Sequence, residues 1–398
     1  MIGRYASLAL LLAVLLIGAC GSAVAHEPAA TTVSTTVETT ETLPTAVPTL
    51  PPTAPPEPTA TPESTATPES TATPEPTATS EPTAVPEPTA TPEPLNAPLA
   101  VPRGSVTTRP FAVMYDNHPN AYPQTGMDGA AIVFEALAEF GITRYMAVFI
   151  PGISPEMPVI GPVRSARPYY VEWAKGLRAV YVHAGGSPEG LLLAETAIEL
   201  INMDALRGNA SRYFYRTRDR SAPHNLYTNS ANIAAFAAAN ERPVEGLAEI
   251  GFLYSAEAPI EERPAQQELR YFFIYREAAV GWSYDPTSNS YRYLRGKRPH
   301  IDAATGAQLQ FKNVVILEVP ERPIPNDPKG RIEQDVIGEG PARIFRDGRM
   351  IEATWRKSAG YAQLYLIDAD GNEIPLAPGS VWIAAIPSLA NLTVQGGR

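Results

Sequence analysis

The sequence predicts an α+β fold in which a mixed α/β domain with a layered sheet precedes a β-rich domain. Short apolar runs alternate with helix-start signals over residues 105–250. Residues 265–390 are dominated by β-prone runs that turn formers separate. The composition between these two ranges shifts to Glu and Pro without a strong pattern, which places a domain boundary there. About 300 residues outside the N-terminal region are enough to bury the cores of two ordinary domains.

Residues 1–20 have the pattern of a secretory signal peptide, with Arg4 followed by an apolar run from Leu8 to Ile17. This run is shorter than the about twenty residues that span a bilayer as a helix. It leads into Ile17-Gly18-Ala19-Cys20, which resembles the lipobox where bacterial lipoproteins are cleaved and acylated. Because Cys20 is the only cysteine, we predict a membrane protein anchored by lipid on Cys20 and facing outside the cytoplasm. The alternative is an ordinary signal peptide that happens to contain a cysteine.

Residues 21–104 are rich in Thr, Pro and Glu and are predicted to form a disordered stalk. The stretch has almost no large apolar side chains to bury, and its prolines and mutually repelling glutamates favour an extended chain. We expect a spacer that lifts the folded part above the membrane. A disordered tail without any length requirement is the alternative.

The charge balance of the remaining chain is close to neutral, although the whole sequence has a net charge of −11. Ten glutamates and no Lys or Arg lie between Glu27 and Glu93, so that without them and Arg4 the chain has 30 basic and 32 acidic residues. No basic surface for nucleic acid is therefore expected. A single cysteine also excludes an intramolecular disulfide and a cysteine-based zinc site.

The first domain is predicted to alternate strands and helices. In chain order the predicted elements are a strand over Phe111–Tyr115, a helix over Ala130–Phe140 capped by Asp128 (with a strand as the alternative, because of Ile132, Val133 and Phe134), a strand over Thr143–Ile150, a helix over Tyr169–Leu177 capped by Ser165 with Pro168 in its first turn, a strand over Ala179–His183, a helix that begins at Ser187-Pro188, and a helix over Ser230–Asn240 that buries Ile233 and Phe236.

The last 130 or so residues are predicted to be predominantly antiparallel β-structure. The predicted strands lie within Leu269–Tyr275, Tyr291–Leu294, Val314–Val319, Gln363–Leu366 and Val381–Ile386, and Asp347-Gly348 and Asp370-Gly371 mark turns. Aromatic side chains alternate in the first half of this region, at Trp282, Tyr284, Tyr291 and Tyr293. They are interpreted either as core or as a platform for sugars.

The segment Gly161–Pro168 is the strongest candidate for one wall of a polar ligand cleft. Arg164 and Arg167 flank Ser165, and paired arginines are suited to bind a carboxylate or a phosphate. A strand–turn–helix junction follows at Gly185-Gly186-Ser187, where backbone N–H groups can bind an anion. Arg220 and Asn225 complete the predicted ligand-binding set. The alternative for Arg164 and Arg167 is an internal salt bridge with Asp116 or Glu135.

Three histidines are candidates for a general base because each follows an apolar run or lies beside turn formers. They are His118, His183 and His224, and Asp116 is the candidate that orients one of them. No two histidines have close metal-ligand spacing, so no metal and no cofactor are expected. A metal held by Asp116, His118 and His183 stays open as an alternative.

Several of these motifs together resemble the YerB-like family of bacterial lipoproteins, over roughly residues 109–387. The motifs are Ala112–Asn117, Gly161–Arg167, His183–Ser187, Ala222–Leu226, Tyr291 with the Gly296 turn, His300 and Asp302, Asn313–Val315, Gly338–Gly340 and Trp355. The resemblance implies a layered α+β fold exposed at the cell surface behind a lipobox. It supplies neither a mechanism nor a catalytic residue.

Three functions follow from these observations. The first is a protein that binds an anionic or glycan-containing ligand of the cell envelope, such as a wall polymer, in an Arg/His-lined cleft. The second is a hydrolase of wall material with a histidine base and Asp116. The third is a structural module, or one that binds a partner protein of the envelope, in which the polar clusters are internal.

Overall fold

The structure, a computed structural model, describes residues 99–397. The predicted signal peptide, Cys20 and nearly all of the predicted stalk lie outside these residues. Leu99 and Val101, which precede the predicted domain start at residue 105, are buried in the core. Pro102 forms a parallel β-bridge with Phe252. No helix within residues 99–397 has the length and apolarity needed to cross a membrane.

Three α-helices and twenty strands make up the described part. The helices are α1 (Pro168–Gly176), α2 (Pro188–Thr196) and α3 (Ser230–Ala239). The strands are β1 (Phe111–Asp116), β2 (Ile132–Glu139), β3 (Ile142–Phe149), β4 (Val180–His183), β5 (Ile201–Asp204), β6 (Tyr215–Arg216), β7 (Leu226–Tyr227), β8 (Gln267–Tyr271), β9 (Val280–Asp285), β10 (Ser290–Arg295), β11 (Arg298–Pro299), β12 (Gln310–Phe311), β13 (Asn313–Glu318), β14 (Glu321–Pro323), β15 (Ile332–Gln334), β16 (Gly338–Arg346), β17 (Arg349–Lys357), β18 (Tyr365–Ile367), β19 (Val381–Ile386) and β20 (Leu392–Gly396).

One ten-stranded mixed sheet organises the molecule, in the order β18-β17-β16-β13-β19-β2-β3-β1-β4-β5. Residues 105–250 and 265–390 both contribute strands to it, since β19 pairs in parallel with β2, from Val381 opposite Ile132 to Ala385 opposite Ala136. All six residues of β19 are buried. A strand that is apolar on both faces requires a layer over each face, and β19 lies inside the sheet with β13 as its other neighbour.

The two faces of this sheet are covered by different layers. On one face α1 packs its Trp173 ring against Phe134 of β2, with 5.0 Å between ring centroids. On the other face Trp382 of β19 packs against Trp282 and Tyr293, with centroid distances of 5.3 and 4.8 Å. Those two residues belong to a second sheet, ordered β11-β10-β9-β8-β20 with β12 beside β10. The α+β class and its order, mixed first and β-rich second, agree with the prediction.

Several local predictions are confirmed. Ser187 caps α2 by accepting the Gly190 N–H, with Pro188 at the first helical position. Helix α3 buries Ile233 and Phe236. Asp347 and Gly348 join β16 to β17 with φ angles of 52° and 71°, the left-handed pair of a tight hairpin turn.

Other local predictions are wrong. Residues 130–140 contain strand β2 rather than the predicted helix, which is the alternative that the apolar run left open. Phe140 and Gly141, with φ angles of 50° and 78°, turn the chain into a hairpin with β3. Arg167, not Ser165, is the N-cap residue of α1. The C-terminal region is predominantly antiparallel, as predicted, and the exception is β19, which is parallel to both of its neighbours.

The four aromatic residues considered as a sugar platform are core residues. Trp282, Tyr284, Tyr291 and Tyr293 are each at most 5% exposed. Their side chains fill the space between the two sheets, so a ligand cannot stack on them.

Candidate functional site

The polar centre of the molecule is the Asp116 carboxylate at the end of β1. Asp116 is only 1% exposed. The Oδ2 atom lies 2.7 Å from Nδ1 of His224 and 3.1 Å from Nε of Arg164, and Oδ1 accepts the backbone N–H of His118 at 3.0 Å. Arg144, directly opposite on β3, brings Nη1 to 3.7 Å from Oδ1. We call Asp116, His118, Arg144, Arg164 and His224 the Asp116 cluster.

The surroundings of Asp116 keep its carboxylate ionised. Burial alone raises the pKa of Asp116, but the His118 N–H, the guanidinium groups of Arg164 and Arg144 and the His224 ring together hold it below its ordinary value. An ionised carboxylate only accepts hydrogen bonds, so Nδ1 of His224 carries the ring proton and donates a hydrogen bond to Asp116. Nε2 of His224 is then the basic nitrogen, and it forms no hydrogen bond with any residue in 99–397.

His118 stacks on His224, with ring centroids 4.4 Å apart and an angle of 18° between the planes. Burial and the neighbouring His224 lower the pKa of His118 below its ordinary value. The neutral ring is consistent with its hydrogen bonding, because Nδ1 of His118 accepts the backbone N–H of Asn120 at 3.2 Å. The proton of His118 is therefore on Nε2. The pair presents one acceptor nitrogen, on His224, and one donor nitrogen, on His118.

Arg164 approaches Asp116 through Nε alone, at ion-pair distance but without the alignment of a hydrogen bond. Its side chain is 25% exposed. Within the described residues neither terminal nitrogen of Arg164 has a hydrogen-bond acceptor, and these two nitrogens are the ones that bind an anion in a forked arrangement. The half-buried Ser165 beside it forms no side-chain hydrogen bond in the same part of the chain.

Arg167 belongs to a different part of the network from Arg164. It is 6% exposed and pairs with Glu139, whose other oxygen lies 2.5 Å from Arg144. A continuous series of ion pairs thus connects Arg167 to Asp116 through Glu139 and Arg144. The internal salt bridge considered as an alternative exists between Arg164 and Asp116, whereas Glu135 accepts hydrogen bonds from the hydroxyl groups of Thr143 and Tyr271 instead.

His183 lies outside the Asp116 cluster. It is fully buried on β4, and its two ring nitrogens lie 2.9 Å from the Gly185 carbonyl oxygen and 2.7 Å from Oδ1 of Asn202. This placement leaves His183 no nitrogen that a substrate can reach. Its hydrogen bonds instead fix the loop that follows β4.

The Gly185-Gly186-Ser187 turn does not present free donors at each position. The Gly185 N–H donates to Asp204 at 2.8 Å, and the Ser187 N–H donates to the carbonyl oxygen of Ala166 at 3.3 Å. Ser187 Oγ is occupied by the Gly190 N–H. The turn therefore connects β4 to the segment containing Arg164 rather than forming an open anion site on its own.

Arg220 and Asn225 hold loops together. Arg220 donates from Nη1 and Nη2 to the carbonyl oxygens of Ala121 and Pro123, at 2.5 and 2.8 Å. Asn225 donates to the carbonyl oxygens of Thr217 and Arg220. The bonds of Arg220 fix the loop of His118 against the loop of His224, and those of Asn225 hold the backbone of the second loop, so both side chains use these donors within the protein.

Two members of the ionic network were not predicted from sequence, Arg144 and Glu139. Arg144 is opposite Asp116 because β1 and β3 pair antiparallel in that register. Glu139 is reached only through a register shift between Leu137 and Glu139 in the pairing of β2 with β3. The sequence feature that could have identified Arg144 is the position of a charged residue within a β-prone run.

The open alternative of a metal held by Asp116, His118 and His183 does not form. Within residues 99–397 no three or more His, Cys, Asp or Glu side chains are grouped so that they can hold a metal ion.

Comparison with known proteins relates the chain to one family over most of its described part. Residues 97–245 match the model described as "Protein of unknown function (DUF3048) N-terminal domain", and residues 269–383 match the model of the C-terminal domain. YerB of Bacillus subtilis (strain 168), whose name classes it as a lipoprotein, is 31% identical over 296 residues, which cover 73% of this chain and 85% of that protein. The crystal structure of YerB superposes with a TM-score of 0.63 at 29% identity, covering 76% of this chain and 99% of that one.

Proposed function

The chain belongs to the DUF3048 family, whose N- and C-terminal domains it contains in that order, and from this premise we propose that it is a lipid-anchored protein of the cell envelope with an acid–base site at the Asp116 cluster. The membership confirms the resemblance to YerB-like lipoproteins. Cys20 carries the lipid in this proposal, and the described part faces outside the cytoplasm. The proposed reaction is hydrolysis of envelope material that bears an anionic group.

The observation that carries this proposal is the contact between Nδ1 of His224 and Oδ2 of Asp116, at 2.7 Å. A histidine that donates one ring proton to an ionised carboxylate has its other nitrogen oriented as a base. Within residues 99–397, His224 has the two features that a hydrolytic base requires, a carboxylate partner and a ring nitrogen without a hydrogen bond. His183, by contrast, uses both of its nitrogens.

In the proposed step, Nε2 of His224 takes a proton from a water molecule while that water attacks the substrate. The resulting imidazolium is stabilised by Asp116, which stays ionised throughout. The imidazolium then returns the proton to the leaving group, so that one water is consumed and the base is regenerated. The Nε2–H of His118, stacked on the same ring, is available as a hydrogen-bond donor.

Arg164 gives the site its preference for an anionic substrate. Its terminal nitrogens are free within the described residues, and a guanidinium group binds a carboxylate or phosphate through two parallel hydrogen bonds. With both histidine rings neutral, the network holds three positive charges, on Arg144, Arg164 and Arg167, against the two negative charges of Asp116 and Glu139. An additional anion is therefore favoured next to Arg164.

The experiment that tests this proposal measures both retention and turnover on cell-wall sacculi that still carry their anionic polymers. The purified full-length protein is incubated with sacculi, and soluble fragments are quantified by mass spectrometry. We expect His224→Gln to lower fragment release by roughly 10²- to 10⁴-fold, the usual contribution of a general base. Arg164→Ala should weaken retention.

Arg356→Ala is the matched control, since Arg356 is an exposed arginine paired with Glu339 and distant in sequence from the Asp116 cluster. Release that is equal for the wild type, Arg356→Ala and His224→Gln contradicts the acid–base role. The absence of both retention and release contradicts the proposal as a whole.

Binding without turnover is the second candidate function. The observation that favours it is the pair of free terminal nitrogens on Arg164, which bind an anion whether or not a reaction follows. Retention that depends on Arg164, without fragment release above the His224→Gln level, would identify this function.

A further inference from the structure

A polar cavity lies beside the other end of the ionic network, at Arg167. Its volume is about 320 Å³. Residues from both family domains line it. The starts of α1 and α2 form one side, and the two-stranded sheet of β14 and β15 forms the other, with Arg322, Ile332 and Gln334. Cavities shared between domains are frequent ligand sites.

Two helix N-termini meet at this cavity. Arg167 is the N-cap residue of α1 and has no side-chain capping bond, while Ser187 caps α2. The two ends lie close together, because a Cβ on Gly190 in the first turn of α2 would be 3.2 Å from Cα of Arg167. Tyr169 and Glu189 line the cavity, and within residues 99–397 their first-turn backbone N–H groups have no acceptor. Such groups, together with the helix dipoles, favour a negative charge.

Two residues that line the cavity, Arg167 and Gln334, carry buried polar atoms without partners among the described residues. Arg167 is 6% exposed and Gln334 is 9% exposed. The Nε–H of Arg167 has no acceptor and Oε1 of Gln334 has no donor among the described residues. A buried donor or acceptor without a partner is costly, roughly 1–3 kcal/mol by mutational measurements, so these atoms indicate groups that a ligand satisfies.

The two unpartnered atoms, Nε of Arg167 and Oε1 of Gln334, require different groups on a ligand. Nε–H of Arg167 and the backbone N–H groups require an acceptor, and an anionic oxygen is the strongest one. Oε1 of Gln334 requires a donor, such as a hydroxyl group. Arg322 and Arg331 also line the cavity, where Glu189, Glu333 and Asp335 balance the three arginine charges, so an anion is attracted by N–H donors rather than by net charge. Pro168 and Ile332 supply an apolar wall.

We propose that this cavity binds an anionic sugar, that is, a sugar bearing a phosphate or carboxylate group beside free hydroxyl groups. The anionic group lies at the two helix N-termini near Arg167 and accepts a hydrogen bond from Arg322, a hydroxyl donates to Gln334, and the apolar ring face lies against Ile332. This site is separate from the acid–base site, since Arg167 and Arg164 face different partners. It can therefore exist whether or not His224 acts as a base.

Isothermal titration of the purified full-length protein tests the proposal with four probes: glucose 1-phosphate, glucuronate, glucose and inorganic phosphate. We expect binding of glucose 1-phosphate, of glucuronate or of both, and weaker binding of glucose and of phosphate alone. Arg322→Ala should weaken binding of the anionic sugar about tenfold, the effect of one charge-assisted hydrogen bond. Arg322 is a suitable position because its side chain is 56% exposed and its ion pairs contribute little to stability.

Arg356→Ala is again the matched control, because that side chain is 51% exposed and pairs with a glutamate in the same way. Gln334→Leu tests the hydroxyl contact and should weaken binding of the anionic sugar while leaving that of inorganic phosphate unchanged. Thermal denaturation establishes that each variant is folded. The proposal is overturned if neither anionic sugar binds, if Arg322→Ala and Arg356→Ala bind equally well, or if Gln334→Leu does not affect the sugar.

Discussion

The glutamate beneath the aromatic core, Glu135, makes the stability of the protein depend on pH. Glu135 is fully buried, and burial raises its pKa from 4.5 to about 7, although hydroxyl groups of Tyr271 and Thr143 donate to its carboxylate. The folded state therefore holds this proton more tightly than the unfolded chain does. The stabilisation that the bound proton of Glu135 contributes to the free energy of unfolding is fully present below about pH 4.5 and is lost as the pH rises through about 7.

The substitution Glu135→Gln removes this titration and retains the shape of the side chain. A pKa difference of about 2.5 corresponds to about 3 kcal/mol at most. Relative to Glu135→Gln, the wild type should lose about 3 kcal/mol of unfolding free energy between about pH 4.5 and about pH 8. Urea denaturation followed by far-UV circular dichroism at several pH values measures this difference.

The comparison between the two proteins cancels the other titrating groups, which are present in both. His300, for example, is fully buried, and burial lowers its pKa to about 3, so it destabilises the wild type and the variant equally in acid. A difference in unfolding free energy that stays constant within about 0.5 kcal/mol over this pH range would refute the reasoning. It would mean that Glu135 is ionised throughout or is not enclosed.

Three further predictions concern stability and positioning. Arg167→Ala should lower the free energy of unfolding, measured by urea denaturation, by about 3–5 kcal/mol, because it leaves the partly buried Glu139 short of a partner. Arg164→Ala should lower it by about 1 kcal/mol. Equal losses would contradict the different surroundings of the two arginines. Gly348→Ala should lower the free energy of unfolding by more than about 1 kcal/mol, because φ is 71° and a Cβ would lie 2.5 Å from a tyrosine ring; an unchanged urea midpoint would count against this turn geometry. Arg220→Ala should cost about 1–3 kcal/mol and change the histidine NMR signals of the Asp116 cluster, and unchanged signals would show that Arg220 does not position that loop.

Local features of the fold were predictable because their causes lie within a few residues. Ser187 and Pro188 specify the start of α2, and Asp347 and Gly348 specify a hairpin, since capping and left-handed turns depend on adjacent residues. Strand β2 was ambiguous, because a short apolar run suits either element until its neighbours are known. Its pairing with β19 depends on residues far away in the sequence.

The candidate site was only partly predictable for the same reason. The sequence predicted one cleft that contains Asp116, His118, Arg164, Arg167, His183 and His224. The structure brings four of them together, whereas His183 and Arg167 lie outside the Asp116 cluster. The two arginines were grouped because they lie three residues apart, and Ser165 was expected to cap the helix that follows.

The helix instead begins after Arg167, so the preceding segment is extended and its two arginines reach different acidic partners. The contribution of Arg144 follows from cross-strand register, which no motif near Asp116 reports.

The most direct test of the acid–base site is the protonation pattern of His224, observed by NMR of the full-length protein with ¹⁵N-labelled histidine. The chain has five histidines, so single His→Gln variants are sufficient to assign the signals. At about pH 8 we expect His224 to be protonated on Nδ1 and free on Nε2, with an Nδ1–H signal that is lost or shifted in Asp116→Asn. Protonation of His224 on Nε2, or an Nδ1–H signal unchanged in Asp116→Asn, would contradict the account.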